Sequence, residues 1–291
     1  MTTAPTAEES AAAPAAPIPA DVAPGSQLSW AIKDSVALGR RNLLHYTRVP
    51  QLLVFTFVQP IMFVLLFRYV FGGSIDVPGL DYVNYLMPGI FGQAVVFGSM
   101  ATAIGLADDM GSGIIERFRS LPMVHLSVLA GRTGADLVRN TAVFIAMLVI
   151  GILVGFRPDS VVGVVAGALV ILLFSFAFSW LMANVGLRAA NAEAAQASAF
   201  PILFPLTFAS SAFVPVNSMP GWLQGFAAHQ PVTVVVNATR GLMLGPDASA
   251  RLQDAGVFTT STQSYVLQSI AWCVALLVIF VPLAVRRFNQ T

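Results

Sequence analysis

Residues 161–187 read VVGVVAGALVILLFSFAFSWLMANVGL and contain no Asp, Glu, Lys or Arg. A helix of about 20 apolar residues is long enough to cross the roughly 30 Å of hydrocarbon in a bilayer. The rest of the chain has a similar composition, because 56% of its 291 residues are hydrophobic and only 10% are charged. Soluble domains carry about 25% charged residues. We therefore predict an all-α integral membrane protein.

Further long apolar stretches bring the predicted number of transmembrane helices to six. The expected spans are residues 50–71, 85–107, 139–156, 161–187, 194–215 and 265–285. Their interiors carry almost no ionisable side chains, whereas a proton-coupled secondary transporter would need such groups along its path. The single cysteine, Cys273, lies in the last span, where we predict a buried apolar role. One cysteine also excludes an internal disulfide and a cysteine-rich metal site.

The chain before the first span divides into two parts. Residues 1–26 are rich in Ala, Pro and Thr, a composition that cannot bury enough apolar surface to fold, and we predict a disordered cytoplasmic tail. Residues 27–48 instead carry apolar residues near helical spacing, with Lys33, Arg40 and Arg41 at other positions. This pattern predicts an amphipathic helix in the membrane interface. The alternative is the solvated start of the first span.

The distribution of basic residues predicts the orientation. With six spans and the N-terminus inside, most of the fifteen Lys and Arg residues lie on the cytoplasmic side. This arrangement follows the positive-inside rule, and the reverse arrangement would violate it. We therefore predict a multi-pass protein of the cell membrane with both termini in the cytoplasm.

Residues 194–239 lack Asp, Glu, Lys and Arg but are too long for one span and are interrupted by five prolines. After the fifth span we predict a re-entrant hairpin on the outer side, where irregular backbone is shielded by protein. Two complete crossings are the alternative. The residues that we assign to this hairpin are Pro220, Gly221, Trp222, Pro231, Arg240 and Gly241.

The loop after the second span contains GSGIIERFRSLPM at residues 111–123. Its pattern predicts a short helix along the cytoplasmic face, with an apolar ridge beside charged residues. Such a helix suits docking to a soluble subunit, although it could also cover the ends of neighbouring spans. The candidate docking residues are Gly113, Ile115, Glu116, Arg117, Phe118, Arg119 and Leu121.

Two motifs together resemble one family. The GSGIIERFRSLPM run resembles the coupling element of ABC-2 type permeases, and Pro-Gly-Trp-Leu at 220–223, Gln-Pro-Val at 230–232 and Arg-Gly-Leu at 240–242 resemble their outward-facing loop. With the Asn-Leu-Leu at 42–44, the chain from about residue 27 onward looks most like a daunorubicin-resistance exporter permease. The resemblance implies a second permease, identical or homologous, and two copies of a separate ABC ATPase docked at the cytoplasmic loop.

The chain itself lacks the residues of a P-loop ATPase. Lys33 is the only lysine, and no glycine-rich loop precedes it, so the motif G-x-x-x-x-G-K-[ST] is absent. We therefore expect a transport subunit without enzymatic activity or a cofactor of its own, with ATP and Mg²⁺ bound by the partner. We also predict no metal site, because the three histidines lie in separate segments. The net charge of +1 argues against a nucleic-acid partner.

An apolar path favours hydrophobic or amphipathic cargo, such as an antibiotic, a drug or a lipid. Export of a polysaccharide or glycolipid is the alternative, and a secondary transporter is less favoured. Gln59 and Gln93 are polar residues at membrane depth and are our candidates for the cargo path. Amides at this depth also serve as contacts between helices.

Overall fold

The computed structural model describes residues 27–48, 50–73, 75, 77, 80–115 and 125–290. The predicted tail, residues 1–26, lies outside the described residues. The regular elements of the described chain are helices. The α-helices are α1 (Gln27–Arg48), α2 (Pro50–Leu65), α3 (Tyr82–Gly98), α4 (Met100–Gly111), α5 (His125–Val154), α6 (Val161–Gly186), α7 (Ala192–Phe208), α8 (Gly221–His229), α9 (Pro231–Asp254) and α10 (Thr262–Gln290). A π-helical segment, Leu66–Phe71, continues α2, and a 3₁₀ turn, Val216–Ser218, precedes α8.

Four helical stretches among the described residues are long and apolar enough to cross a membrane. They are Tyr82–Gly111, Leu126–Val154, Val161–Gly186 and Thr262–Gln290. The apolar helix Thr56–Phe71 is shorter. The predicted fifth span corresponds to α7, which has 17 residues. The membrane-spanning class is therefore supported by four long helices, whereas the predicted first and fifth spans fall on shorter helices.

Two predicted boundaries differ most from the ends of the helices. The third span was expected to begin at residue 139, but α5 begins at His125 and therefore includes Asp136 and Arg139. The fifth span was expected to reach residue 215, but α7 ends at Phe208. Shortly after this point, two backbone N–H groups bond to side chains and no longer to carbonyl groups of the helix. Ser211 N donates to Thr233 Oγ1 at 3.1 Å, and Ala212 N donates to Ser210 Oγ at 3.1 Å.

The predicted second span forms the centre of the structure as two helices, α3 and α4, separated by a break at Ser99. The Ser99 side chain donates to Val96 O at 2.6 Å, which supplies a local bond at the break. Helices α5, α6, α7 and α9 all pack against this broken helix, and most of α3 is buried. The break therefore lies inside the bundle.

Gly89 allows the closest approach of another segment to α3. A Cβ atom at this position would overlap the backbone carbonyl of Ala212, and one at Gly92 would lie 2.5 Å from Val236 Cγ2. The absence of side chains on this face lets the 210–213 turn and α9 lie directly against α3. Backbone atoms, unlike the end of a flexible side chain, cannot move aside cheaply.

We expect Gly89→Ala to lower the free energy of unfolding by about 1–3 kcal/mol, as overpacking typically does. Gly134→Ala is the matched control, because it lies inside α5 and has no atom within 4 Å of the added Cβ. There the change should be neutral or stabilising, since alanine favours a helix over glycine by about 1 kcal/mol. Thermal unfolding in mild detergent measures both variants. Equal melting temperatures would contradict the close contact.

The two ends of the bundle are defined by contacts between loops and helix ends. At the Tyr82 end, where α3, α6 and α10 begin, Arg157 N donates to Asn84 Oδ1 at 2.8 Å and Asp159 N donates to Met243 O at 2.8 Å. At the Asp109 end, where α4 and α6 finish, Asp109 bonds α1 and α5. Helix α9 runs toward the Tyr82 end and bends at Gly245, whose φ of 80° suits glycine.

Helix α1 lies against the first part of α5 at the Asp109 end. Gly39 and Gly131 make this approach close, since a Cβ on Gly39 would lie 3.3 Å from Gly131 O. Leu38 is buried on the side facing the bundle, whereas Ile32 and Val36 are 56% and 66% exposed. The apolar residues of α1 therefore form two faces, one packed on protein and one open.

Candidate functional site

A cleft of about 230 Å³ lies between α2, the break between α3 and α4, and α5. Most of its wall is apolar, with Phe97, Ile104 and Val143 among the lining residues. Its polar lining consists of Thr56, Gln59, Gln93, Arg139 and Asn140. The structure therefore brings together Gln59 and Gln93, the two residues singled out from the sequence, and adds polar residues from α5.

The cleft lies near the middle of the bundle along the helix direction. Gln93 follows the start of α3 by three helical turns, which places it about 17 Å from the Tyr82 end at 1.5 Å per residue. A similar distance separates Gln59 from Phe71, where the π-helical segment finishes. Both amides are therefore at the depth of the bilayer centre if the helices span roughly 30 Å of hydrocarbon.

Arg139 holds the break of the central helix. Its guanidinium donates to the carbonyl oxygen of Gly98, the last residue of α3. A Cβ on Gly98 would lie 2.7 Å from Asn140 Oδ1, so the glycine lets α5 approach the break. A carbonyl freed by a helix break needs another partner in an apolar medium. The arginine supplies that partner from the neighbouring helix.

Arg139 also belongs to a buried polar network. Its Nη1 lies 3.4 Å from Asp136 Oδ1, and the two side chains are 5% and 1% exposed. Thr102 donates its hydroxyl to the Asp136 carboxylate, and Asn140 donates its amide to Ser175 Oγ at 2.6 Å. Helix α5 therefore carries a buried ion pair at the start of the predicted third span, residues 139–156. The two opposite charges neutralise each other, which makes burial of both tolerable.

Gln93 is the least satisfied polar residue of the cleft. It is 1% exposed, and in the described part of the chain neither Nε2 nor Oε1 has a hydrogen-bond partner. Leaving buried donors and acceptors unpaired costs about 1–3 kcal/mol each. The Gln93 amide is therefore a polar group without a partner among the described residues in the wall of a mostly apolar cleft.

Comparisons with known proteins agree with a membrane transport role. Residues 34–244 match the profile described as ABC-2 type transporter. This chain belongs to the ABC-2 type transporter family. It is 31% identical over 253 residues to the daunorubicin resistance ABC transporter permease protein DrrB1 of Streptomyces coeruleorubidus, covering 86% of this chain and 84% of that protein.

Two further relatives are also permeases by name. The probable doxorubicin resistance ABC transporter permease protein DrrC of Mycobacterium tuberculosis is 29% identical over 226 residues, 76% of this chain and 82% of the relative. The inner membrane transport permease YadH of Escherichia coli is 24% identical over 231 residues, 77% of this chain and 89% of the relative. The ABC-2 chain is thus a membrane permease similar to drug-resistance permeases.

In this ABC-2 permease, a second cluster of charges lies at the Asp109 end. Arg41 Nη2 of α1 lies 2.6 Å from Asp109 Oδ1, and Arg132 Nη1 of α5 lies 3.5 Å from Asp109 Oδ2. Arg132 also donates to Ala101 O at 3.0 Å. One carboxylate therefore joins α1, α4 and α5. Of the other basic residues predicted on α1, Lys33 and Arg40 are exposed.

The predicted docking helix is described only at its beginning. Gly113 has a φ of 71°, a conformation that favours glycine, and Ile115 is 4% exposed. The other candidate docking residues, Glu116, Arg117, Phe118, Arg119 and Leu121, lie outside the described residues. The described chain thus leads from the Asp109 cluster through a glycine turn to the start of this loop.

The residues predicted for the outer hairpin divide into two groups. Pro220, Gly221 and Trp222 are exposed at the beginning of α8, and the Trp222 side chain is 82% exposed. Pro231 is the first residue of α9, where its missing N–H costs nothing. Gly241 is buried, and a Cβ there would lie 2.4 Å from an atom of Thr262 unless α10 moved away.

Arg240 is fully buried, which its position in a predicted hairpin did not indicate. Its Nε donates to Tyr85 O at 3.0 Å, Nη1 to Asn237 Oδ1 at 2.5 Å and Nη2 to Ser211 O at 2.9 Å. Its Cζ lies 3.7 Å from the centroid of the Tyr85 ring. One guanidinium therefore fastens α3, the turn after α7, and α9 to one another.

Reasoning from the sequence missed Asp136, Arg139 and Asn140 as part of the site. The available signal was the spacing of Asp136 and Arg139, since opposite charges three residues apart face the same side of a helix. They directly precede an apolar run, so the helix could have been extended backwards to include them.

Among the described residues, no three His, Cys, Asp or Glu side chains are grouped to hold a metal ion.

Proposed function

We propose that this chain is the membrane-spanning subunit of an ABC exporter that moves hydrophobic or amphipathic compounds outward. The observation that carries the proposal is the cleft at the broken helix, which combines an apolar wall with a Gln93 amide that has no hydrogen-bond partner among the described residues. Membrane transporters often place binding sites near the bilayer midplane beside interrupted helices. The names of the drug-resistance relatives favour an antibiotic or another drug as cargo.

We propose six spans, with residues 216–245 forming a re-entrant hairpin on the outer side. Gln230 Nε2 donates to Leu206 O at 2.8 Å, which supports a turn at the depth of the last part of α7. Asn217 Nδ2 donates to Ala255 O at 3.4 Å, in the loop that follows α9. The nine residues of α8 cover about 14 Å, roughly half of the hydrocarbon thickness. These dimensions favour re-entry over a second crossing.

The Asp109 end is assigned to the cytoplasm. Arg40, Arg41 and Arg132 line a cleft there, and Arg188 and Arg286 follow or end helices at the same end, as the positive-inside rule requires. The exposed Ile32 and Val36 support α1 lying in the interface, with its open apolar side toward lipid. Both termini are then cytoplasmic in the cell membrane, with residues 1–26 as a tail and 27–291 as the transmembrane domain.

Two copies of a separate ATPase would dock at the loop that starts at Gly113. The Asp109 cluster supports this coupling route, because movement of the loop would pull on α1 and α5 together. A second permease, identical or homologous, would close the open side of the cleft. ATP and Mg²⁺ would be bound by the ATPase, and this chain would contribute no catalytic residue and no nucleic-acid contact.

Two other functions are distinguished by experiment. Export of a polysaccharide or glycolipid is less favoured, because the cleft is lined mostly by apolar residues and the many hydroxyl groups of a sugar would find few hydrogen-bond partners there. The buried carboxylate of Asp136 is the one observation that favours a proton-coupled transporter. Its ion pair with Arg139, at 3.4 Å, weakens that interpretation, because it gives the carboxylate a structural role inside the bundle.

The deciding experiment is purification of the protein from its native membrane in mild detergent. We expect a roughly stoichiometric soluble subunit with a P-loop and vanadate-sensitive ATPase activity. In membrane vesicles, ATP should then drive uptake of a lipophilic drug but not of a charged sugar polymer. Purification without an ATPase, or transport driven by a proton gradient alone, would overturn the exporter assignment.

The double variant Glu116→Gln/Phe118→Ala tests the coupling loop. We expect drug transport to fall at least tenfold while the protein still inserts in the membrane, because charge and apolar surface are both removed from the docking site. The matched control is Glu193→Gln/Phe226→Ala, which changes the same residue types at exposed positions elsewhere. Unchanged transport in the loop variant, or an equal loss in the control, would remove the coupling role.

A further inference from the structure

We propose that Gln93 recognises a neutral cargo group that both donates and accepts a hydrogen bond, such as a carboxamide or a hydroxyl beside a carbonyl. This substrate class rests on the proposed export function. It specifies which part of an amphipathic compound enters the cleft and which side chain reads it.

The hydrogen-bonding state of Gln93 points to a bifunctional partner. In the described chain both Nε2 and Oε1 are unpaired, and the residue lines the cleft while being 1% exposed. Asn140, which also lines the cleft, is by contrast bonded to Arg139 and Ser175. One free donor and one free acceptor on the same planar group are complementary to another amide or to a hydroxy-carbonyl pair.

The electrostatics of the cleft favour a neutral group over an ion. Arg139 lines the cleft, whereas its partner Asp136 is not among the lining residues, so a cationic amine would meet the guanidinium first. An anion would meet the same guanidinium favourably but would lose its hydration near the bilayer centre and compete with Asp136 for the arginine. Burying a further charge there costs several kcal/mol. A neutral donor–acceptor group avoids both penalties.

The size of the cleft limits what it can hold. A volume of about 230 Å³ accommodates a ring and its polar substituent but less than a complete drug-sized molecule, which usually occupies 300–1,000 Å³. The apolar side chains of Phe97, Ile104 and Val143 would contact the ring. The remainder of the cargo would extend through the open side of the cleft.

A binding experiment without ATP tests the inference independently of export. The protein is purified with any subunits that accompany it, reconstituted in nanodiscs and titrated with 1-naphthamide and with methyl 1-naphthoate, using empty nanodiscs to correct for partitioning. The two probes share a ring system and a carbonyl, but only the amide donates. We expect the wild-type protein to bind the amide at least tenfold more tightly, because a site built for a donor rejects an analogue that leaves its acceptor unpaired.

Gln93→Leu should abolish the preference and bind both probes equally, and Gln93→Met should do the same. Neither change should lower the melting temperature, because an unpaired buried amide is replaced by an apolar group of similar size. Gln196→Leu, at an exposed position of α7, should keep the wild-type preference. A preference that survives in both Gln93 variants, or is missing from the wild type, would overturn the inference. If no ATPase is recovered when the protein is purified, the proposed export function is contradicted, but the binding preference measured at Gln93 still stands.

Discussion

Replacing Arg240 with methionine should lower the free energy of unfolding by about 3 kcal/mol. The guanidinium donates to Tyr85 O, Asn237 Oδ1 and Ser211 O, and hydrogen bonds from a charged donor contribute about 1.5–3 kcal/mol each. Relief of the desolvation of a buried charge offsets part of the loss. The net effect remains large, because the bonds to Tyr85 O and Ser211 O tie α3 and the turn after α7 to α9.

Thermal unfolding in mild detergent measures the effect of Arg240→Met. A change of 1 kcal/mol shifts the melting temperature of a chain of this size by roughly 2–4 °C, so we expect a decrease of about 6–12 °C. Arg240→Lys should be nearly as unstable, since one ammonium group cannot reproduce a planar fork of donors. Arg251→Met is the matched control, because Arg251 is exposed and its Nε donates within its own helix. Melting of the two methionine variants within 2 °C of each other would contradict the clamp.

Breaking the Asp136–Arg139 pair should cost on the order of 3–5 kcal/mol when only one partner is changed. Asp136→Asn leaves a buried guanidinium without its carboxylate, and Arg139→Gln leaves a buried carboxylate without its cation. The double variant Asp136→Asn/Arg139→Gln contains no unpaired charge and should recover most of the loss. We therefore expect the two substitutions to be strongly non-additive, with an interaction free energy of about 2 kcal/mol or more.

A double-mutant cycle of melting temperatures tests this expectation. The control cycle is Arg68→Gln with Asp81→Asn, whose side chains are 33% and 56% exposed at a separation of 3.5 Å and should interact by less than about 1 kcal/mol. Additive losses at Asp136 and Arg139 would show that the pair is not effectively buried. Drug transport by the same variants separates a role in stability from a role in transport. Full transport by the stable double variant would show that the two charges contribute to stability alone.

Some features of the site were predictable from local pattern. The run without charged residues at 161–187 corresponds closely to α6. The helix begins after Ser160, whose hydroxyl oxygen accepts a hydrogen bond from Gly163 N at 3.1 Å, and apolar residues make up most of its length. The predicted burial of Cys273 is confirmed. Gln59 and Gln93 were selected as polar residues at membrane depth that could face the cargo, and they do line one cleft.

Other features depended on partners far away in the chain. The turn after α7 begins where Thr233 and Asn237, more than twenty residues later, bond to Ser211. Arg240 belongs to the Arg-Gly-Leu motif at 240–242, and its buried guanidinium also donates hydrogen bonds to both Tyr85 O and Ser211 O. No window of local sequence contains both sides of these contacts.

The sequence by itself determined the membrane class, the location of the long apolar helices, the absence of a P-loop and the family motifs, because these depend on composition and on residues that are neighbours along the chain. The tertiary structure alone decided that α5 carries a neutralised ion pair into the bundle, that Arg240 joins three segments, and that the Gln93 amide has no hydrogen-bond partner within the described part of the chain. The physical reason is that the cost of a buried polar group depends on which atoms surround it, and packing brings those atoms from distant segments.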